Sequence, residues 1–172
     1  MRGWFYEQMA MYSAYHRSFR NQLTHHVGVP LIVFSLLVIA ARVELMSLPG
    51  GPLTLAAALM GLLLLIYVVA VPLIGMVAVA LYGVLLYAAQ QVAALGLQPA
   101  LIVFGAGFVG GWVIQFIGHA FEGRRPALFD NLVQIFMAPA FLIAEILFAL
   151  GVEQGLRAEI GRRMPRYLPK DD

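Results

Sequence analysis

The feature that most constrains this chain is a run of 77 residues, 45–121, without a single Lys, Arg, Asp or Glu. A soluble domain carries roughly 25% charged residues, whereas this chain carries 12%. The run is too long for one spanning helix, which needs about 20 apolar residues. The sequence therefore predicts an all-α, polytopic membrane protein whose helices form a bundle.

The chain is predicted to form a single transmembrane domain, residues 1–172. Its first part, residues 1–26, is polar and aromatic and precedes the apolar sequence. Residues 27–151 are predicted to form the membrane bundle, and residues 152–172 a basic tail that is an interfacial helix or a frayed end.

Proline and glycine residues divide the bundle into segments of spanning length. One break is placed at Pro72, because proline removes a backbone hydrogen-bond donor. A segment at 131–151 is predicted to be a fifth span or a re-entrant helix, since a full fifth crossing would carry the basic tail outside. The four expected spans are residues 27–46, 53–71, 73–95 and 100–119.

All four histidines lie in two short stretches: His16, His25 and His26 before the first span, and His119 at the end of the fourth. Four crossings return the chain to its starting side, so both stretches are predicted to share one membrane face. The positive-inside rule makes that face cytoplasmic. The histidine side carries Arg2, Arg17, Arg20, Arg124 and Arg125, and the opposite side carries Arg42.

The two histidine stretches could together hold a metal ion. His119 and Glu122 are three residues apart and share one helical face. On one straight helix His16 and His25 would face opposite sides, so a bend between them is needed if both bind one ion. Imidazoles with a carboxylate suit a non-haem Fe(II) site with positions open for oxygen and substrate.

Other polar residues are candidates for the site, and some of them have two interpretations. Glu145 is ionisable inside an apolar segment, which makes it a functional hypothesis. Gln115 lies one turn before His119 and would orient it, or would form an interhelical hydrogen bond. Arg124 and Arg125 would bind a carboxylate bidentately, or would contact phosphate headgroups.

Two alternatives to an oxygenase are left open. Paired histidines could ligate a b-type haem for electron transfer, or the protein could bind lipid or metal without catalysis. The chain has no cysteine, which excludes thiolate metal sites, Fe–S clusters and thiol nucleophiles. The small net charge of +2 does not indicate a nucleic-acid surface.

Three patterns carry a resemblance to a known family. H-x4-N-x3-H-x2-G-x-P matches from His16 to Pro30, and a longer pattern matches from Gln115 to Gln134. A third, A-P-x-F-x3-E, ends at Glu145. The chain resembles the small membrane family typified by the fungal endoplasmic-reticulum 2-hydroxy-palmitate dioxygenase.

The resemblance implies an Fe(II)-dependent dioxygenase of fatty acid α-oxidation. Its partners would be a long-chain 2-hydroxy fatty acid, O2 and membrane lipid, in a bacterial inner membrane or the endoplasmic reticulum. Glycine-rich spans leave a homodimer open. The predicted residues are His16, His25 and His119 as metal ligands with His26 as alternative; Glu122 and Glu145 as catalytic groups; and Arg124, Arg125, Asn21, Gln115 and Asn131 as substrate contacts.

Overall fold

The computed structural model describes residues 2–123 and 125–168. The described residues are mostly helical, which confirms the predicted fold class. The helices are α1 (Arg2–Tyr15), α2 (Phe19–Ala40), α3 (Leu55–Ala70), α4 (Pro72–Ala94), α5 (Leu97–Glu122), α6 (Gln134–Ala149) and α7 (Gln154–Arg163), with short 3-10 helices at Ala127–Phe129 and Met164–Tyr167.

The chain divides into two compact units. One contains residues 1–26 and 114–172 and is called here the histidine unit, because all four histidines belong to it. The other contains residues 27–113 and is called the apolar unit. Helices α2 and α5 each have residues in both units.

The break between α3 and α4 lies at Val71, as the sequence predicts. Pro72 begins α4, a position where its missing N–H costs nothing. A Cβ added at Gly75 would come within 2.4 Å of the Val68 backbone nitrogen. Only glycine therefore allows the chain to turn this sharply between the two helices.

The apolar unit also contains a hairpin that the sequence did not indicate. Strands β1 (Glu44–Leu48) and β2 (Gly51–Thr54) pair antiparallel where a span end and a turn were expected. Thr54 then caps α3, its hydroxyl accepting a hydrogen bond from the Ala57 N–H. The first apolar helix consequently covers 19–40 and not 27–46.

Among the described residues three helices, α2, α4 and α5, are long and apolar enough to cross a membrane. Helix α3 has 16 residues, or about 24 Å at 1.5 Å per residue, which is short for a core of about 30 Å. Helices α6 and α7 pass the test only as a pair bent by 119°, the geometry of a broken span or a re-entrant segment. By length and composition, three helices could thus cross a membrane, or up to four if the bent pair forms one span.

In the histidine unit, α1 packs against α6, α7 and the 3-10 helix that follows α7. The Glu7 carboxylate accepts hydrogen bonds from the Arg163 and Arg166 guanidinium groups and from the Tyr167 hydroxyl. Described residues of the predicted basic tail are therefore a folded helix held on α1 and not a frayed end.

Candidate metal centre

An interruption between helices α1 and α2 turns His16 towards His25. Helix α1 ends at Tyr15 and α2 begins at Phe19, with the two helices separated by residues 16–18. The bend that would let both histidines bind one metal ion therefore lies directly after His16. His16 occupies the break, whereas His25 lies in the second turn of α2.

Three histidines meet at the end of this break. His16, His25 and His119 each offer a ring nitrogen, and these atoms all lie within 4.8 Å of one another. Their ring centroids are 4.4 to 5.0 Å apart. All three are buried, with 3%, 2% and 5% of their surface exposed. The structure thus brings together residues that are up to 103 positions apart in sequence (119 − 16).

Backbone carbonyls set the tautomers of two of these rings. His16 Nδ1 lies 2.7 Å from the Tyr12 carbonyl and His25 Nδ1 lies 2.9 Å from the Asn21 carbonyl. A carbonyl only accepts, so in the neutral rings Nδ1 carries the hydrogen and Nε2 presents a lone pair. The two Nε2 atoms lie 3.2 Å apart. Two lone pairs at this distance repel unless a cation is shared between them, which is what a metal ion supplies.

Tyr12 and Phe141 support the histidine cluster, and only Phe141 belongs to a sequence pattern singled out above. The Tyr12 ring stacks on His16 with centroids 3.9 Å apart, and it contacts Phe141 at 4.9 Å. One feature of the sequence is consistent with the contact between Tyr12 and His16: Tyr12 lies four residues before His16. That spacing places both on one helical face, but it does not distinguish a support from a core residue.

Glu122 lies at the end of α5 and its carboxylate binds the start of α2. It accepts hydrogen bonds from the backbone N–H groups of Arg17 at 3.2 Å and Ser18 at 2.8 Å. The buried amide of Asn21 donates a third, at 3.2 Å. The group of converging ligands contains three histidines and not Glu122. Of the predicted substrate contacts, Asn21 is completely buried in these bonds.

Gly118 lets α5 approach α2 next to His119. A Cβ at this position would come within 2.0 Å of the Thr24 hydroxyl and 2.6 Å of the Asn21 side-chain oxygen. Both residues belong to the turn of α2 that precedes His25. The glycine of the G-H pair therefore sets how closely His119 can approach the other histidines.

His26 and Glu145 form a neighbouring polar pair. His26 Nδ1 bonds to the Gln22 carbonyl at 2.9 Å, and its Nε2 lies 4.0 Å from the Glu145 carboxylate. His26 is outside the three-histidine group. Both carboxylate oxygens of Glu145 are buried, and within the described part of the chain neither has a hydrogen-bond partner. A buried carboxylate without a hydrogen-bond partner is costly.

The remaining predicted substrate contacts lie in different surroundings. Arg125 is exposed and pairs with Asp130, which also accepts from the Tyr15 hydroxyl at 2.6 Å. Asn131 donates to the Gln8 side chain at 2.8 Å, and so joins the segment before α6 to α1. Gln115 is half-buried on α5. Arg124 lies outside the described residues.

Comparison with known proteins identifies the family of the chain. The family described as 2-hydroxy-palmitic acid dioxygenase Mpo1-like matches residues 3–150. The chain is 36% identical over 164 residues to the 2-hydroxy-palmitic acid dioxygenase MPO1 of Saccharomyces cerevisiae, covering 89% of this chain and 85% of the yeast protein. No solved structure matches the chain. By sequence, the chain belongs to the Mpo1-like family of 2-hydroxy-palmitic acid dioxygenases.

Proposed function

We propose that this protein is an Fe(II)-dependent 2-hydroxy fatty acid dioxygenase of fatty acid α-oxidation. The observation that carries the proposal is the buried cluster of His16, His25 and His119 in a chain of this family. The substrate is a long-chain 2-hydroxy fatty acid, and the product is a fatty acid shorter by one carbon.

The donor set suits iron. Neutral imidazoles are good ligands for Fe(II), and the lone pairs of His16 and His25 already converge at 3.2 Å. When bound here, Fe(II) would supply open positions at which a carboxylate, the adjacent hydroxyl and O2 can be held side by side. Three protein ligands with open positions are typical of non-haem oxygenases.

The protein residues hold this centre in place. Hydrogen bonds from His16 and His25 to backbone carbonyls orient the rings and raise the basicity of Nε2. Stacking of Tyr12 on His16 fixes the plane of that ring. Because the three rings are buried, bulk water is excluded from the atoms that would bind iron.

The reaction balances without a further reductant. The bond between carbons 1 and 2 breaks, carbon 2 becomes the carboxyl carbon of the shorter acid, and carbon 1 leaves as carbon dioxide with one water. This removes four electrons from the substrate, and O2 accepts all four. Glu145, whose carboxylate lies beside His26, is the group proposed to move a proton in this reaction, with Glu122 supporting the site.

The geometry disfavours the alternative of a b-type haem. Two axial histidines must stand on opposite faces of the porphyrin, whereas here three rings crowd one another with centroids at most 5.0 Å apart. A non-catalytic metal- or lipid-binding protein is the second alternative, and it predicts metal binding without consumption of O2.

The histidine side is proposed to face the cytoplasm, in a bacterial inner membrane or the endoplasmic reticulum. The basis is the excess of arginines in the segments predicted to lie on the same membrane face as the histidines. The acyl chain would enter from the lipid, with its carboxylate met by Arg125 and Arg124. A homodimer through glycine-rich helix faces is compatible with this arrangement.

The test is oxygen uptake by the purified protein in detergent. Wild-type protein loaded with Fe(II) is given 2-hydroxypalmitate, and consumption of O2 is measured together with pentadecanoic acid by mass spectrometry. We expect one shortened acid per O2, and a loss of at least 100-fold in His119→Ala, because removing a ligand removes the metal.

Ser35→Ala is the matched control, since Ser35 is buried in the apolar unit and bonds only to its own helix among the contacts described. It should retain full activity. Iron binding without any shortened acid would contradict the proposed reaction and favour the non-catalytic alternative. A Soret band in the purified protein would favour the haem.

A further inference from the structure

We propose that Glu122 is a positioning residue that locks the three histidines into one site, and that it does not itself bind the metal. The proposal deepens the function above and rests on it. Its basis is the set of three hydrogen bonds by which one carboxylate joins the end of α5 to the break between α1 and α2.

Each hydrogen bond of Glu122 involves a close neighbour of a ligand. Arg17, whose N–H donates to Oε1, directly follows His16. Asn21, whose amide donates to Oε2, also supplies the carbonyl that orients His25. Glu122 itself lies one turn after His119 on α5. The carboxylate thus connects the three short segments that carry the ligands.

The charge of Glu122 suits this position. Its oxygens face the N-terminus of α2, where unpaired N–H groups and the helix dipole stabilise an anion. The Ser18 N–H and the Asn21 amide both donate to Oε2, and the Arg17 N–H donates to Oε1. Since both oxygens already accept bonds from protein donors, the carboxylate is committed to the helix end.

Asn21 completes the connection to α1. Its amide nitrogen donates to the Tyr15 carbonyl at 3.3 Å as well as to Glu122. It is completely buried. The last residue of α1, the first turn of α2 and the end of α5 are therefore joined by two side chains, and the break that carries His16 has a defined shape.

The experiment titrates Co(II) into the full-length protein in detergent and compares wild type with Glu122→Gln. Glutamine keeps the size of the side chain but replaces one oxygen with an NH2 group, which cannot accept from Arg17 or from Ser18. We expect the Kd for Co(II) to rise by roughly 10- to 100-fold, the range for residues that orient ligands. At saturation the visible absorption bands of Co(II) should keep their positions.

A shift of those bands at saturation would overturn the proposal, because it would mean that the carboxylate is a ligand. An unchanged Kd would overturn it too. Glu44→Gln, at an exposed glutamate of the hairpin in the apolar unit, is the matched control and should leave both the Kd and the spectrum unchanged.

Asn21→Ala gives a second route if Glu122→Gln does not fold. It removes two donated bonds and leaves the carboxylate in place, so the Kd should rise in the same direction by a smaller factor; an unchanged Kd would overturn the proposal. Wild type that binds Co(II) but makes no shortened acid would defeat the proposed function alone. Wild type that binds no metal would defeat both.

Discussion

The histidine unit and the apolar unit are built from the same kind of helix but differ in what holds them together. In the histidine unit, side chains distant in sequence bond to one another, as in Glu122 with Asn21 and Glu7 with Arg163. In the apolar unit, described side-chain bonds are mostly local, as in Ser35 with Ile32 and Thr54 with Ala57. In the apolar unit, helices also pack closely against one another at glycine positions.

The difference teaches where chemistry can be placed in a membrane protein. Polar groups in an apolar medium need partners, so a site with several of them requires a surrounding network that satisfies each one. The histidine unit has much of that network, but among the described residues Asn21, Gln134 and Glu145 have buried side-chain oxygens without a hydrogen-bond partner. Substitutions that test the two units should therefore affect activity in one and only stability in the other.

Among the substitutions that compare the two units, Glu145→Gln in the histidine unit is expected to have the largest effect. We expect turnover to fall by about 100-fold, the lower range for loss of a proton-transferring group. The thermal midpoint should stay the same or rise, because an uncompensated buried carboxylate is removed. Oxygen uptake and thermal unfolding in detergent measure the two quantities. A lower midpoint with normal turnover would show instead that Glu145 is a structural residue.

The next prediction compares two glycines, Gly118 and Gly111, at which an added Cβ would meet close neighbours. Gly118→Ala places a Cβ against Thr24 and Asn21, so α5 must shift beside His119. We expect a loss of about 1–3 kcal/mol in stability, as for overpacking in general, and about a tenfold loss of turnover from the displaced ligand. Unfolding midpoints and oxygen uptake are the measurements.

Gly111→Ala is the matched variant in the apolar unit. Its Cβ would lie 2.6 Å from Ile32 Cγ1 and 2.9 Å from the Gly28 carbonyl oxygen. We expect a similar loss of stability with turnover unchanged per folded molecule. Equal losses of turnover in both variants would break the division of labour between the two units.

The smallest effect concerns the contact of α1 with the C-terminal segment. Hydrogen bonds from Tyr167, Arg166 and Arg163 hold the pKa of Glu7 below its usual 4.5. A lowered pKa in the folded state stabilises the fold above the unfolded value, and this contribution is lost as the pH falls through the folded value. Glu7→Gln should therefore flatten the acid side of the stability curve.

Because Glu7 is close to solvent, this change in stability is small, as for surface ion pairs. Turnover at neutral pH should match wild type, since Glu7 contacts none of the three histidines in the bonds described. Thermal unfolding from pH 3 to pH 7 is the measurement. A marked loss of activity would mean that the C-terminal segment helps to shape the site.

Sequence alone determined the class of protein and most of its helices. The uncharged run 45–121 requires a membrane bundle, because so little charge cannot cover a soluble domain. Pro72 indicated the break between α3 and α4, because proline lacks a backbone N–H and its ring clashes with the preceding turn of a helix. The H-x8-H spacing of His16 and His25 predicted a bend between them if both bind one metal ion, and helices α1 and α2 are separated there.

Tertiary structure decided which partner each polar side chain has. The spacing of His119 and Glu122 fits a metal-binding face equally well, but the carboxylate bonds to the start of α2. His25 and His26 are adjacent in sequence, yet only His25 faces the other histidines. Helical periodicity fixes the face on which a residue lies, whereas its partner depends on how closely helices approach, and here Gly118 sets that distance.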